Sequence, residues 1–155
     1  MKGVFITSFV ITFIFFSGCK NADQKTNSVN DPKTMADSMR QEAINEHNRG
    51  MGGWNKIEGR QKQIQKLLDS IDVLPAKTQS VLASLKTKLN ETNDELSKAY
   101  KEMYDWMLIM NLDSAADNPG VRKQYYTNEK LKGSEITKMI NNSLQKADSL
   151  LKAKL

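Results

Sequence analysis

Side chains that do chemistry on their own are scarce in this chain: one cysteine, Cys19, one histidine, His47, and eight methionines. Met51 follows His47 by four residues, and Met107 follows Met103 by the same step, one turn on if both segments are helical. An imidazole nitrogen together with thioether sulfurs suits Cu(I), a soft ion content with few ligands. If the two segments form a hairpin turning near residue 76, facing positions sum to about 152. His47 then faces Asp105, Met51 faces about Lys101, and His47, Met51, Met103 and Met107 fall within a turn of one another. The plainer reading of the same residues is a core end filled by methionines, with His47 as an interfacial side chain whose ring nitrogen is satisfied.

The same folding on paper gathers aromatics. Trp106 faces about Tyr126 across the second turn, while Trp54 lies near Tyr100, so these four form a candidate interaction cluster, since aromatic groups with a polar tip favour surfaces that meet a partner. The bland alternative is a bulky plug at the end of the bundle. Enzymatic readings have little to work with. A Ser-His-Asp arrangement would have to use His47, and no serine stands in a nucleophile-like context. There is no cysteine pair and no glycine-rich phosphate loop. Carboxylate pairs such as Asp94 with Glu95, or Glu91 with Glu102, read as solvated positions on a charged helix among lysines. The expectation is a chain without catalytic activity and without a cofactor.

Cys19 belongs to a different chemistry. Met1-Lys2-Gly3 is followed by Val4 to Phe16, thirteen residues in which only Thr7, Ser8 and Thr12 are not strongly apolar. That is too short for a lasting helical span, which needs roughly 20 apolar residues, and it matches the core of a secretion signal. Phe16-Ser17-Gly18-Cys19 resembles a lipobox, in which small residues precede the cysteine that receives lipid. Residues 1–18 are therefore expected to be a removable signal, and Cys19 the acylated first residue of the mature chain. Several acyl chains, each adding about 0.8 kcal/mol per buried methylene, make such an attachment effectively permanent. Lys20, rather than Asp, follows the cysteine, which by resemblance to Gram-negative sorting points to the outer membrane, with the displayed face left open.

All five phenylalanines lie within the first sixteen residues, and removal of residues 1–18 lowers the formal charge from +5 to +4 by taking Lys2 away. The charges that remain are interspersed, with no basic block, whereas a nucleic-acid partner would want a clustered basic stripe with aromatics between. Residues 19–31 are polar and expected to be a flexible tether, and residues 32–155 a single helical domain.

Asp31-Pro32 reads as a helix start. From there Met35, Met39, Ala43, His47, Met51, Trp54, Ile57, Ile64, Leu68 and Ile71 recur at three- and four-residue steps. Gly50, Gly52 and Gly53 interrupt that pattern, each costing about 1 kcal/mol relative to alanine inside a helix, so a kink or break is expected there. Pro75 stops the first helix, and Thr78 is a candidate cap for the second. The second carries the clearest seam, Leu82, Leu85, Leu89, Thr92, Leu96, Ala99, Met103, Trp106 and Met110, a heptad pattern widened by Val81, Met107 and Ile109. A third helix is expected from about Val121 toward Lys154, with Tyr125, Leu131, Ile136, Ile140, Leu144, Ala147 and Leu151 on one face and Gly133 as a soft spot. Short connections favour antiparallel neighbours, hence an all-α, up-down-up three-helix bundle of long coiled-coil-like helices. A seam of this kind is either satisfied within the chain or offered to a protein partner or a second copy.

With its lipobox-like cysteine, His47 and Met51, the run Met103-Tyr104-Asp105-Trp106-Met107 and the final helix from Ile136 to Leu151, the chain resembles a family of small bacterial lipoproteins sometimes labelled viral A-type inclusion protein-like. In this chain Asn48 and Arg49 stand where acidic residues commonly follow the family histidine, and the three glycines are a further departure. The resemblance implies a helical, envelope-located protein. It implies no particular activity.

Overall fold

A computed structural model describes residues 31–114 and 117–152. It consists of three helices, α1 (Pro32–Asp72), α2 (Ala76–Ile109) and α3 (Pro119–Lys152), joined by short connections. At about 1.5 Å per residue these rods are roughly 50 to 60 Å long. Among the described residues there is no strand.

Local chemistry sets the ends. Asp31 caps α1 by accepting from the Lys33 amide at 3.4 Å, and Pro32 occupies the first helical position, where a missing N–H costs nothing. α1 ends at Asp72, before the Leu74-Pro75 pair that disfavours further helical turns. α2 starts at Ala76 with Pro75 preceding it and no side-chain cap, so the Thr78 cap expected from sequence does not form. Asn118 accepts from the Val121 amide at 3.1 Å at the start of α3.

Contacts between elements fix the up-down-up order. Trp54 meets Tyr100, Gln61 meets Ser97 and Arg40 meets Leu112, so α1 and α2 run antiparallel. Trp106 meets Glu129 and Glu95 meets Lys146, so α2 and α3 do the same. Asp37 pairs with Arg122 and Arg60 with Asp148, so α1 and α3 are parallel. The most extensive interface is that between α1 and α3.

Close packing explains two of the three glycines, Gly50 and Gly53, whereas Gly52 faces open space. α1 runs unbroken through Gly50, Gly52 and Gly53, contrary to the expected kink. Its innermost line is Ala36, Ala43, Gly50, Ile57, Ile64 and Ile71, all buried and spaced by seven. Gly50 on that line and Gly53 beside it let α3 approach closely, and isoleucines occupy the rest of the line toward Ile71. A Cβ at Gly53 would stand 2.6 Å from Ile140 Cγ2, and one at Gly50 would overlap the Met103 methyl group. Tertiary packing thus outweighs the local helix cost of glycine. Gly133 is no soft spot either: Trp106 packs against its backbone, where a Cβ would come within 2.5 Å of the indole.

The α2 seam is packed as its heptads predict: Leu89, Thr92, Leu96, Ala99, Met103 and Trp106 are buried, and Leu82, Leu85 and Met110 half-buried. Val81 and Ile109 do not widen it, being 77% and 62% exposed. The buried face of α3 is Tyr126, Gly133, Ile136, Ile140, Ser143 and Ala147. Leu131, expected on that face, is 58% exposed.

Candidate functional site

The residues singled out by type fall into two environments, spread from the middle of the bundle to the end where α1 begins, α2 ends and α3 begins. His47 and Met107 line one apolar groove of about 300 Å³ together with Ile44, Met110 and Leu112. His47 is half-buried there, with its ring centroid 6.0 Å from that of Trp106 and its Nδ1 3.3 Å from the Asn48 side-chain oxygen. Met103 is not in that groove. It is fully buried and reaches into the space left by Gly50, while Met51 is half-buried against the core. Met110, which sequence reasoning treated only as a seam residue, lines the groove beside His47. Its position two helical steps beyond Met103 was available as a signal. Among the described residues no three His, Cys, Asp or Glu side chains are grouped so as to hold a metal ion.

The four aromatics divide in the same way. Trp54 stacks on Tyr100 with centroids 4.5 Å apart, and its Nε1 donates to the Tyr100 carbonyl at 3.1 Å. Trp106 is fully buried, its Nε1 donating to Glu129 Oε2 at 2.6 Å. Tyr126 is buried as well, edge-on to Tyr125, with Arg122 above its ring. Its hydroxyl donates to the Leu112 carbonyl, which also accepts from Arg40 Nε at 3.2 Å. Tyr125 accepts from the Asn111 amide at 2.7 Å. The two tyrosines of α3 therefore hold the α2–α3 connection in place.

Around this pinned connection lies an apolar surface that residue-type reasoning did not single out. Leu108 is 67% exposed, Val121 55%, and Tyr104, Ile109 and Leu112 are exposed at the same end of the bundle. The available signal was the density of apolar residues in Met107-Leu108-Ile109-Met110 followed by Leu112, more than one seam can bury.

Charged groups elsewhere are arranged as structural pairs. Glu46 is buried and paired with Arg49 at 2.7 Å, and Arg60 pairs with Asp148 at 2.5 Å across the α1–α3 interface. The Lys62 ammonium, hydrogen-bonded to Glu58, holds that carboxyl below its ordinary range, and Asp105 raises Lys101 in the same manner. Both pairs are one turn apart on exposed helix faces. A polar groove between α2 and α3 is lined by Glu95 and Lys146, which are bonded to each other at 2.6 Å.

The segment proposed as a signal, and Cys19 itself, lie outside the described residues. No helix among the described residues is long and apolar enough to cross a membrane. Comparison with protein-family models, with curated proteins and with solved structures found no match to this chain.

Proposed function

We propose that the chain is a lipid-anchored cell-envelope protein, held in the outer membrane through Cys19, whose three-helix bundle is a structural and interaction module without catalytic activity. The observation that carries this reading is the setting of the sole cysteine: thirteen largely apolar residues and the pair Ser17-Gly18 precede it, and a polar run follows it. The interaction role is supported by the exposed apolar residues at the end of α2, on a bundle whose core is otherwise closed. Residues that the bundle does not need for its own packing are available to a partner. Replacing Cys19 by alanine in the native host and fractionating the envelope tests the anchor. The variant is expected to leave the membrane fraction or to accumulate as uncleaved precursor. A variant that is processed and retained like the parent would reject the reading.

A second reading is favoured by the groove that His47 shares with Met107 and Met110. One imidazole and two thioethers constitute a soft donor set for Cu(I), with Met107 and Met110 replacing the expected Met51 and Met103 as nearest candidates. Competition with a chromogenic Cu(I) chelator is the test. Met107→Leu and Met110→Leu together should weaken binding at least about tenfold if thioethers ligate. Equal affinity in parent and variant removes the idea.

A further inference from the structure

We propose that the end of the bundle nearest the tether lies on the lipid surface, with Leu108, Ile109, Leu112 and Val121 in contact with the interfacial layer and the Tyr104 phenol at headgroup level. The proposal deepens the anchoring reading, and rests on it for why a bilayer is close by.

The placement follows from topology. α1 begins at the same end at which α2 finishes and α3 starts, as the Arg40–Leu112 and Asp37–Arg122 contacts require. Eleven residues, 20–30, separate Cys19 from Asp31. At about 3.3 to 3.6 Å per residue that span cannot exceed roughly 40 Å, shorter than the bundle. A lipid on Cys19 thus keeps this end within about 40 Å of the bilayer in every orientation, whereas the other end reaches it only when the bundle lies flat or tilts that end downward. The exposed apolar residues are distributed to match: among them only Val73 and Val81 belong to the far end.

The surface is also preformed. The backbone carrying Leu112 is held by Tyr126, Arg40 and Tyr125, so its side chain is presented from a fixed connection. Charge at this end is balanced, with Arg40, Arg122 and Lys123 against Asp37, Asp113 and Asp117. Contact is therefore apolar in origin and should respond weakly to salt, unlike the polybasic attachment of many peripheral proteins. Tyrosine is suited to the rim of such a contact, with an apolar ring and a polar tip.

The single cysteine permits a test that does not depend on natural lipidation. The chain from Cys19 onward, which contains every buried residue described, is coupled through its thiol to a maleimide lipid in phosphatidylcholine vesicles with brominated acyl chains. Tryptophan is introduced by Leu108→Trp at the near end, or by Val81→Trp at the far end, both at exposed positions. Leu108→Trp is expected to show at least about twofold more quenching by bromine than the parent chain, with Val81→Trp indistinguishable from the parent. Equal quenching at both positions, or none above the parent at Leu108→Trp, overturns the proposal. So does a blue shift at Leu108→Trp that grows with surface density without bromine quenching, which would assign the patch to a second copy. Because the coupling is chemical, these outcomes stand whether or not Cys19 carries lipid in the cell, and a mass spectrum of the native N-terminal peptide judges the anchor separately.

Discussion

Replacing the helical glycines Gly50, Gly52 and Gly133 one at a time by alanine separates packing from propensity. At Gly52 a Cβ meets nothing within 4 Å, so Gly52→Ala should gain the helix-propensity difference of about 1 kcal/mol. At Gly133 the same methyl group would stand 2.5 Å from Trp106 Cη2 and 2.9 Å from Cζ2, with Glu46 Cβ at 3.0 Å on another side. The indole is fully buried and tied through Nε1 to Glu129, so it cannot swing away as a flexible chain end would. Overpacking of that kind costs about 1 to 3 kcal/mol, here at the upper end, and the propensity gain offsets about 1. Gly133→Ala is therefore expected to lose about 2 kcal/mol, some 3 below Gly52→Ala, a separation in Tm of about 12 °C for a domain of this size. Gly50→Ala should fall between them, because the atom it overlaps is the mobile methyl of Met103. Urea titration followed by circular dichroism at 222 nm measures the order. A Gly133→Ala variant as stable as Gly52→Ala would refute the close approach of Trp106 to the α3 backbone.

Trp106→Phe removes the hydrogen bond to Glu129 and leaves a charged acceptor short of its donor, at an expected cost of about 2 kcal/mol in the same titration. Ile64→Ala, at a fully buried position, should cost about 2 to 5 kcal/mol, whereas Leu131→Ala on the exposed side of α3 should stay within about 0.5. Asp148→Asn breaks the ion pair with Arg60 at a partly exposed site, so the loss should be below about 1 kcal/mol and should vanish in molar salt.

How much of this was legible varied by helix. On α2 the large apolar residues are themselves the seam, so periodicity gives both the helix and its buried face, from Leu89 to Trp106. The hairpin register was set by a turn near residue 76: the Trp54–Tyr100 and Arg40–Leu112 contacts lie within two of the expected sum of facing positions, whereas Gln61–Ser97, nearer the turn, lies six away from it. On α1 the hydropathy pattern pointed to Ala43, Ile57, Ile64, Leu68 and Ile71, which are buried, and also to Met35, Met39, His47 and Trp54, which are half-buried, while it passed over the buried Ala36, Gly50 and Gly53. Small residues carry little hydropathy signal, and the glycines among them count against helix by propensity, yet they are what lets two parallel rods close up. The seven-residue step from Ala36 to Ile71 was present in the sequence and was masked by glycine at its third place. The His47–methionine constellation was partly recoverable. Its register set Met107 near His47, but one-turn arithmetic cannot tell a methionine aimed into the core, such as Met103, from one on the rim.

The fate of Cys19 decides whether the bundle is held at a membrane. Intact mass measurement of the protein extracted from its own membrane, followed by sequencing of the N-terminal peptide, addresses it directly. The predicted result is a chain starting at residue 19, with acyl mass on the cysteine and residues 1–18 absent. A chain beginning at Met1, or one carrying an unmodified thiol at position 19, would contradict it.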